Sequence, residues 1–470
     1  MIRLAAPPDL SPYERYGLET LVDLSRLLVV ADPAADVVEL RVADTPSISF
    51  DQLLSRGLTL ERGDGIVTIA RATLSHITGL AGAALEQQST VTDRHGRVPS
   101  AVNALVTRRM ERDVPVLRWA EGLASTVGEA AGRRPFRLLS PWPLGRHWVA
   151  AMTHDLDVVT GWPLFTLSRS AELLRAREWR RCGAVVAAAA GAVGHGPVER
   201  GIRDLLEAER EVGVRATWFM ICGTPTPRTW WRGDITYRLE SPQGRRLLEL
   251  VRSGGHEIGL HGSFQTAGDG TRIQDERGRL SRLIGAPPAG VRQHFLRLRP
   301  GETHALMEAA GFMYDATLGF SDRNGFRTGT ADVVPALGGA ARSALDTVPL
   351  VWMDRALSKY QHVEDPEAWV EDGLELAEIS RAVGGLWVGL WHPNLVPALG
   401  FPDTPAALRR LLTTLSGWHP WFATLQEVVQ WRRSRRSTHA TRVTAEGGVE
   451  VVTDTPAPWP VTLEDGKGRR

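Results

Sequence analysis

The chain has 470 residues, 43% of them hydrophobic and 23% charged, which is the composition of an ordinary globular protein. Lys and Arg (55) nearly balance Asp and Glu (54), which excludes an overall basic charge for binding nucleic acid or anionic lipid. The 2 cysteines exclude a disulfide scaffold, and the length exceeds the ~100–200 residues of one domain. An enzyme or a binding protein remains.

Residues 1–140 are predicted to form a smaller, mixed α/β N-terminal accessory domain. Runs rich in β-branched residues at 36–43 and 65–70 predict short strands. Helical periodicity at 72–87 and around 114–130 predicts two helices. No motif in this part indicates chemistry.

The chain shows no signal for export or membrane insertion. Its first residues lack the apolar core of a signal peptide. The most apolar stretch, 182–194, is shorter than the ~20 residues that cross a bilayer, and it reads as a helix. We therefore expect a cytoplasmic protein with no membrane span; the sequence predicts no oligomeric state.

From Trp148 onward, apolar runs alternate with helical stretches, a pattern typical of βα units around a parallel sheet. The predicted strands are 148–155, 214–223, 254–262, 290–297, 313–317, 346–353 and 385–392. The predicted helices between them include 198–212, 242–253, 303–310 and 403–415. Polar residues collect at the carboxyl ends of the strands, where βα barrels place their chemistry. We predict a barrel domain at 141–435 and a polar, partly disordered tail at 436–470, with one possible hairpin at 447–454.

The motif THDLD (153–157) closes the first of these strands. Asp155 and Asp157 are two residues apart, so they point to the same side of an extended segment. Two close carboxylates repel each other unless a cation lies between them. A divalent metal bound by one of them, with the other left as a general base, would resolve that repulsion. An Asp pair that only caps the next loop is the alternative.

Three further strands end in imidazole or guanidinium groups. His256 and His261 are five residues apart and so face opposite sides of a strand, and His261, at the strand's end, is the better metal-ligand candidate. Arg292 and His294 share a face, and an arginine there can pair with a catalytic aspartate. His392 ends its strand in the position of a general acid. Taken alone, either histidine of the first pair also fits a hydrogen-bonded structural role.

Taken together, these motifs resemble the polysaccharide deacetylase family, the NodB-homology domain of carbohydrate esterase family 4. THDLD, HEIGLHGS, GVRQHF, YDATLGF and LWHPN are similar to its successive motifs in order and spacing over 148–435. The resemblance implies an α/β fold, a distorted (β/α)7 barrel, that removes acetyl groups from an acylated sugar or glycan precursor. It implies that a divalent metal, with Zn2+ the first candidate, activates the attacking water. By position it assigns Asp155 as base, Asp157 and His261 as metal ligands, Arg292 as the group that orients Asp155, and His392 as acid.

One position departs from the family pattern. Gln265 stands where the second motif normally supplies another His, and an amide oxygen is a weak zinc ligand. We hypothesise that His294, on the next strand, replaces it as the third ligand. Two other functions stay open: hydrolysis of a non-sugar amide on the same barrel, and a barrel without catalysis that binds glycans or partner proteins.

The chain is rich in tryptophan, with 16 Trp against 5 Tyr. Trp230, Trp231 and Trp391 fall in or beside predicted strand-end loops. Flat rings there can stack on the apolar faces of a sugar, so we expect these three to bind substrate. Ordinary core packing is the alternative for each of them.

Overall fold

The structure of the protein, a computed structural model, describes residues 1–44, 48–159, 162–191, 196–339, 341–444 and 448–466. No helix within these ranges combines the length and apolar character that crossing a bilayer requires.

The N-terminal part builds a four-stranded sheet flanked by helices. Its elements are β1 (Ile2–Ala5), α1 (Pro12–Leu24), β2 (Val38–Ala43), α2 (Phe50–Arg56), β3 (Leu60–Gly63), β4 (Ile66–Ala70), α3 (Arg71–Ala81), α4 (Ala84–Gln87), α5 (Pro115–Ala131) and β5 (Arg137–Leu139). The strand order is β1-β2-β4-β3, with β3 antiparallel to β4 and the other pairs parallel. The predicted strands correspond to β2 and β4, and the predicted helices to α3, α4 and α5.

The larger part of the chain alternates strands and helices. Its elements are β6 (Val149–Leu156), α6 (Trp162–Arg175), α7 (Trp179–Ala190), α8 (Pro197–Val212), β7 (Thr217–Ile221), α9 (Pro227–Trp231), α10 (Pro242–Ser253), β8 (Glu257–Gly262), α11 (Gly270–Ile284), β9 (Gly290–Gln293), α12 (Glu302–Ala309), β10 (Tyr314–Asp315), β11 (Val334–Gly338), β12 (Ala341–Thr347), β13 (Trp352–Met353), α13 (Pro366–Ala382), β14 (Leu386–Leu390), α14 (Thr404–Gly417), β15 (Trp421–Phe422) and α15 (Leu425–Arg436). Every residue of β6 is buried, because its successive side chains enter two different hydrophobic clusters: Val149 and Ala151 pack in one, and Ala150 and Met152 in the other.

These strands form one 10-stranded sheet in the order β11-β12-β10-β9-β8-β7-β6-β14-β13, with β15 beside β6. The segment 346–353 connects the two ends of this sheet. Its first residues belong to β12, which pairs in parallel with β10, and its last residues form β13, which pairs in parallel with β14. The sheet therefore curls on itself. A mixed α/β fold is confirmed, and its curl is consistent with the expected distorted barrel. The antiparallel β11–β12 pair was not predicted.

The C-terminal segment is folded against the N-terminal part through residue 466. β16 (Thr438–Val443) and β17 (Val449–Thr453) form an antiparallel pair, and β18 (Leu463–Asp465) pairs with β5. This differs from the expected partly disordered tail, because the alternating Val and Thr residues find strand partners here. The possible hairpin at 447–454 supplies only β17, whose partner lies upstream, and residue 447 lies outside the described residues. The domain boundaries at 140 and 435 stay predictions.

Candidate active site and metal centre

A cleft of about 630 Å3 opens at the carboxyl ends of the parallel strands. Asp155 lies near the end of β6 and Asp157 directly after it, while His261 lies near the end of β8. His294 follows β9, and His392 comes two residues after β14. All five side chains line the cleft. Residues far apart in the sequence thus meet where the strand ends converge.

Three of these side chains form a cluster suited to a metal ion. One ligand atom each of Asp157, His261 and His294 lies within 4.8 Å of the others. Asp157 Oδ1 is 3.1 Å from His261 Nε2 and 3.6 Å from His294 Nε2. This buried oxygen makes no hydrogen bond of normal geometry with the described residues. One carboxylate and two imidazoles are a donor set that fits a catalytic divalent ion such as zinc.

The two histidines are oriented by acceptors on their other ring nitrogen. His261 Nδ1 lies 3.0 Å from the carbonyl oxygen of Arg292. His294 Nδ1 lies 3.1 Å from Asp234 Oδ1. A hydrogen donated at Nδ1 leaves the Nε2 lone pair of each ring facing Asp157, as metal-binding histidines require.

The charges in the cluster stabilise one another. Burial alone would raise the pKa of Asp157, but the neighbouring His294 and His261 outweigh burial and hold that pKa well below its usual range. Burial alone would lower the pKa of His261, and Asp155 and Asp157 outweigh it and raise that pKa. The cluster therefore keeps Asp157 ionised, the state in which a carboxylate binds a cation.

Asp155 is held apart from the cluster by a buried arginine. Arg292 Nη1 donates to Asp155 Oδ1 at 2.9 Å and to Thr153 Oγ1 at 2.9 Å. Arg292 Nε donates to the carbonyl oxygen of Ala316, and the guanidinium carbon lies 4.4 Å from the ring centre of Phe219. The other Asp155 oxygen is 3.8 Å from His261 Nε2. Arg292 thus fixes the orientation of Asp155.

His392 is paired with a second carboxylate. Its Nδ1 lies 2.6 Å from Asp354 Oδ1, and its backbone N–H donates to Asp354 Oδ2 at 2.6 Å. Its Nε2 faces the cluster, 3.7 Å from Asp157 Oδ2. Burial alone would lower the pKa of His392, but Asp354 outweighs it and raises that pKa. This is the environment of a group that can donate a proton at neutral pH.

The N-terminal part reaches the cluster through an aromatic stack. Phe295 lies on the ring of His294, with centroids 3.9 Å apart, and His95 lies 5.0 Å from Phe295. Arg97 donates to the carbonyl oxygen of Phe295 at 2.7 Å and is held by Asp93. The loop around His95 therefore supports His294.

The tryptophans predicted to bind substrate divide into two groups. Trp230 and Trp231 line the cleft, and the Trp231 side chain is 84% exposed. Trp391 is only 3% exposed and lies against Trp352 and Trp369. The structure therefore places Trp391 in the core, because its strand-end position turns it away from the cleft. We correct our expectation of a substrate contact there.

Gln265, which stands where the family pattern has a histidine, lies away from the cluster. Gln265 is exposed and is not among the described residues that line the cleft. His294 stands in the cluster, as the replacement hypothesis expects. A Cβ at Gly262 would come within 2.7 Å of Thr266 and 2.8 Å of Gln293, so a side chain after His261 would displace one of these neighbours.

Sequence reasoning did not identify Asp234 or Asp354. Asp354 directly follows the predicted strand 346–353, so the strand-end rule that selected His392 could have found it. Asp234 lies between α9 and α10, where the sequence carries no periodic signal.

No family model and no curated protein matches the chain. Among solved structures it is similar to a protein described as a polysaccharide deacetylase from Mycobacterium smegmatis, at 20% identity over 65% of this chain and 96% of that chain, with a TM-score of 0.43. It is similar to a second one from Pseudomonas aeruginosa PAO1, at 15% identity over 64% and 95%, with a TM-score of 0.43. An allantoinase is similar at 14% identity over 64% and 94%, with a TM-score of 0.42.

Proposed function

We propose that the protein is a metal-dependent hydrolase that removes an acyl group, acetyl first of all, from a carbohydrate or glycan precursor. The observation that carries the proposal is Asp155, held by Arg292 at 2.9 Å beside the cluster of Asp157, His261 and His294. We infer that the curled sheet is a distorted (β/α)7 barrel, with this site at its mouth.

The metal ligands in this proposal are Asp157, His261 and His294. They fit a divalent ion because Asp157 Oδ1 is buried without a hydrogen bond and both rings turn Nε2 toward it. When bound, such an ion supplies Lewis acidity, which polarises an acyl carbonyl and lowers the pKa of water. The metal we expect is Zn2+.

The remaining residues move protons and position the substrate. Asp155 takes a proton from the attacking water, and Arg292 holds the Asp155 carboxylate in position for that task. His392 donates a proton to the leaving nitrogen or oxygen, and Asp354 keeps His392 charged until then. Trp230 and Trp231 offer flat rings at the cleft for a sugar face.

Acetate release from N- and O-acetylated sugars by the zinc-loaded protein tests this function. Asp155→Asn is the matched variant, since it keeps the shape and removes the base. We expect it to lose about 100- to 10,000-fold in kcat at unchanged zinc content. An Asp155→Asn protein as active as the wild type would overturn the assigned roles.

The same assay separates the other functions. If the protein contains zinc but cleaves only non-sugar amides, then its substrate is a non-sugar amide and the acylated sugar is rejected. A protein that holds no zinc and releases no acyl group would leave only a binding role.

A further inference from the structure

The cleft that contains the cluster is lined by more positive than negative side chains. Its cations are Arg97, Arg232, Arg355 and Lys359. The carboxylates among the described lining residues are Asp155 and Asp157. Asp155 already pairs with Arg292, and Asp157, which faces the histidines, acts on Lys359 without forming an ion pair with it.

Three of the cations pair with no carboxylate in the part of the chain that the structure describes. Arg97 is paired with Asp93 at 2.7 Å. The side chains of Arg232, Arg355 and Lys359 make no ion pair with any residue that the structure describes. Elsewhere arginines of this chain are commonly paired, as Arg112 is with Asp372 at 2.7 Å. Unpaired cations around one cavity create a positive potential that a negatively charged ligand would neutralise.

Arg355 and Lys359 lie four residues apart in the chain and line the same cleft. The pKa of Lys359 is lowered, first by burial and then by the charges of Arg355 and Arg94, although Tyr360 and Asp157 act in the opposite direction. Both residues belong to the segment that directly follows Asp354, the partner of His392. An anion bound between them would remove this repulsion within the same cleft as the proton donor.

The residue types also fit an anion. Lys359 is one of two lysines, with Lys467, in a chain whose other side-chain cations are arginines. A lysine ammonium supplies three rotatable donors and an arginine supplies a planar pair, and both recognise phosphate and carboxylate oxygens. A cavity of about 630 Å3 has the size of a small-molecule site.

We propose that the acylated substrate carries an anionic group, a phosphate or a carboxylate, that Arg355 and Lys359 bind, with Arg232 contributing from the side of α9. This inference rests on the proposed function, since it names the class of sugar that the hydrolase accepts. It predicts a preference for a charged sugar over its neutral counterpart.

Equilibrium binding to the zinc-loaded, full-length protein tests the anion site separately from turnover. The probes are N-acetylglucosamine, its 1-phosphate and its C6 carboxylate analogue, measured with wild type, Arg355→Gln, Lys359→Gln and Lys359→Arg. Arg442→Gln on β16 is the control, an exposed arginine outside the cleft. We expect Arg355→Gln and Lys359→Gln each to weaken the charged probes about 5- to 20-fold and to leave the neutral one within 2-fold. Lys359→Arg should retain most of the wild-type affinity, and added NaCl should weaken only the charged probes.

Each result decides the question. A stronger response to the 1-phosphate or to the carboxylate identifies the anion. Equal binding of neutral and charged probes, or no binding of either charged probe, overturns the proposal. Charged probes that bind Lys359→Gln and Arg355→Gln as tightly as they bind the wild type also overturn it, because a metal ion alone would then account for the binding. Selective binding without acetate release keeps the anion site and rejects the hydrolase.

Discussion

His294 and Asp234 are joined by a hydrogen bond of 3.1 Å between Nδ1 and Oδ1, which turns the opposite ring nitrogen of His294 toward Asp157. The two residues are far apart in the sequence: His294 follows β9, and Asp234 follows α9. The hydrogen bond orients His294, the third member of the cluster. His294 lies outside the motif in which the family pattern places a second histidine, at Gln265.

We therefore predict that Asp234→Asn weakens zinc binding about 10- to 100-fold, the usual effect of removing a partner that orients a metal-binding histidine. The measurement is a competition titration with a zinc chelator. Asp275→Asn, an exposed carboxylate on α11, is the control and should bind zinc as the wild type does. Equal affinity in both variants would remove Asp234 from the site.

A second prediction compares the two candidates for the third ligand. His294→Ala should lose most of its zinc, because only Asp157 and His261 of the cluster remain. Gln265→Ala should keep wild-type zinc content, since Gln265 is exposed and lies outside the cleft. Elemental analysis of both purified variants gives the answer, and full occupancy in His294→Ala would eliminate the replacement hypothesis.

Much of this site could be predicted because strand ends follow from local patterns. The alternation of apolar runs with helices indicates the parallel strands. Because the carboxyl ends of such strands converge, the sequence alone predicts that Asp157 and His261 lie close together. The position of Asp234 could not be predicted in this way. It depends on how the loop after α9 folds over the sheet, and a loop carries no periodicity.

The same limit explains the errors. Trp391 and His392 are neighbours at one strand end, yet one side chain enters the core and the other the cleft, because successive residues of an extended segment point to opposite sides. Strand-end position alone does not choose between them. The β16–β17 and β18–β5 pairings join segments that are far apart or weakly patterned, so the C-terminal segment read as a tail.

The pH dependence of activity should follow His392. As the proton donor it must be protonated, and Asp354 raises its pKa above the ordinary value despite burial. Activity is therefore predicted to fall as pH rises through that raised pKa. Asp354→Asn removes the charge, so burial then lowers the pKa and the alkaline fall in kcat/KM moves to lower pH. A pH–rate profile with an unmoved alkaline limb would contradict the role of this pair.

Global stability should depend on Asp23, which links α1 to α15. Asp23 Oδ2 lies 2.9 Å from Arg436 Nε and 3.2 Å from Arg432 Nη2, all in the buried interior. Arg432 also pairs with Asp332 at 2.7 Å and Arg436 with Asp346 at 2.8 Å. Asp23→Asn removes the carboxylate that these two guanidinium groups share and should cost about 3–5 kcal/mol in the free energy of unfolding. Urea denaturation measures this, with Glu129→Gln in an exposed pair with Arg62 as a control that should change by less than about 1 kcal/mol.

The same carboxyl predicts an acid sensitivity. Burial would raise the pKa of Asp23, but Arg432 and Arg436 outweigh it and hold that pKa below the usual range. The folded state thus binds this proton more weakly than the unfolded chain does. The stabilisation is present above the unfolded pKa of about 3.9 and is lost as pH falls below it. Asp23→Asn should show a smaller loss of stability on acidification, and an identical loss would contradict the pairing.

Trp231 and Trp391 should respond oppositely to truncation. Trp231 lines the cleft and is 84% exposed, so Trp231→Ala should leave the melting temperature unchanged. It should raise KM for an acetylated sugar about 2- to 10-fold, the equivalent of ~0.5–1.5 kcal/mol of aromatic contact. Trp391→Ala removes a ring that is 3% exposed and should cost ~3–5 kcal/mol of stability. A Trp391→Ala protein with wild-type stability and a raised KM would contradict this assignment and show that Trp391 contacts the substrate. A purely structural ring cannot be removed without a loss of packing and therefore of stability.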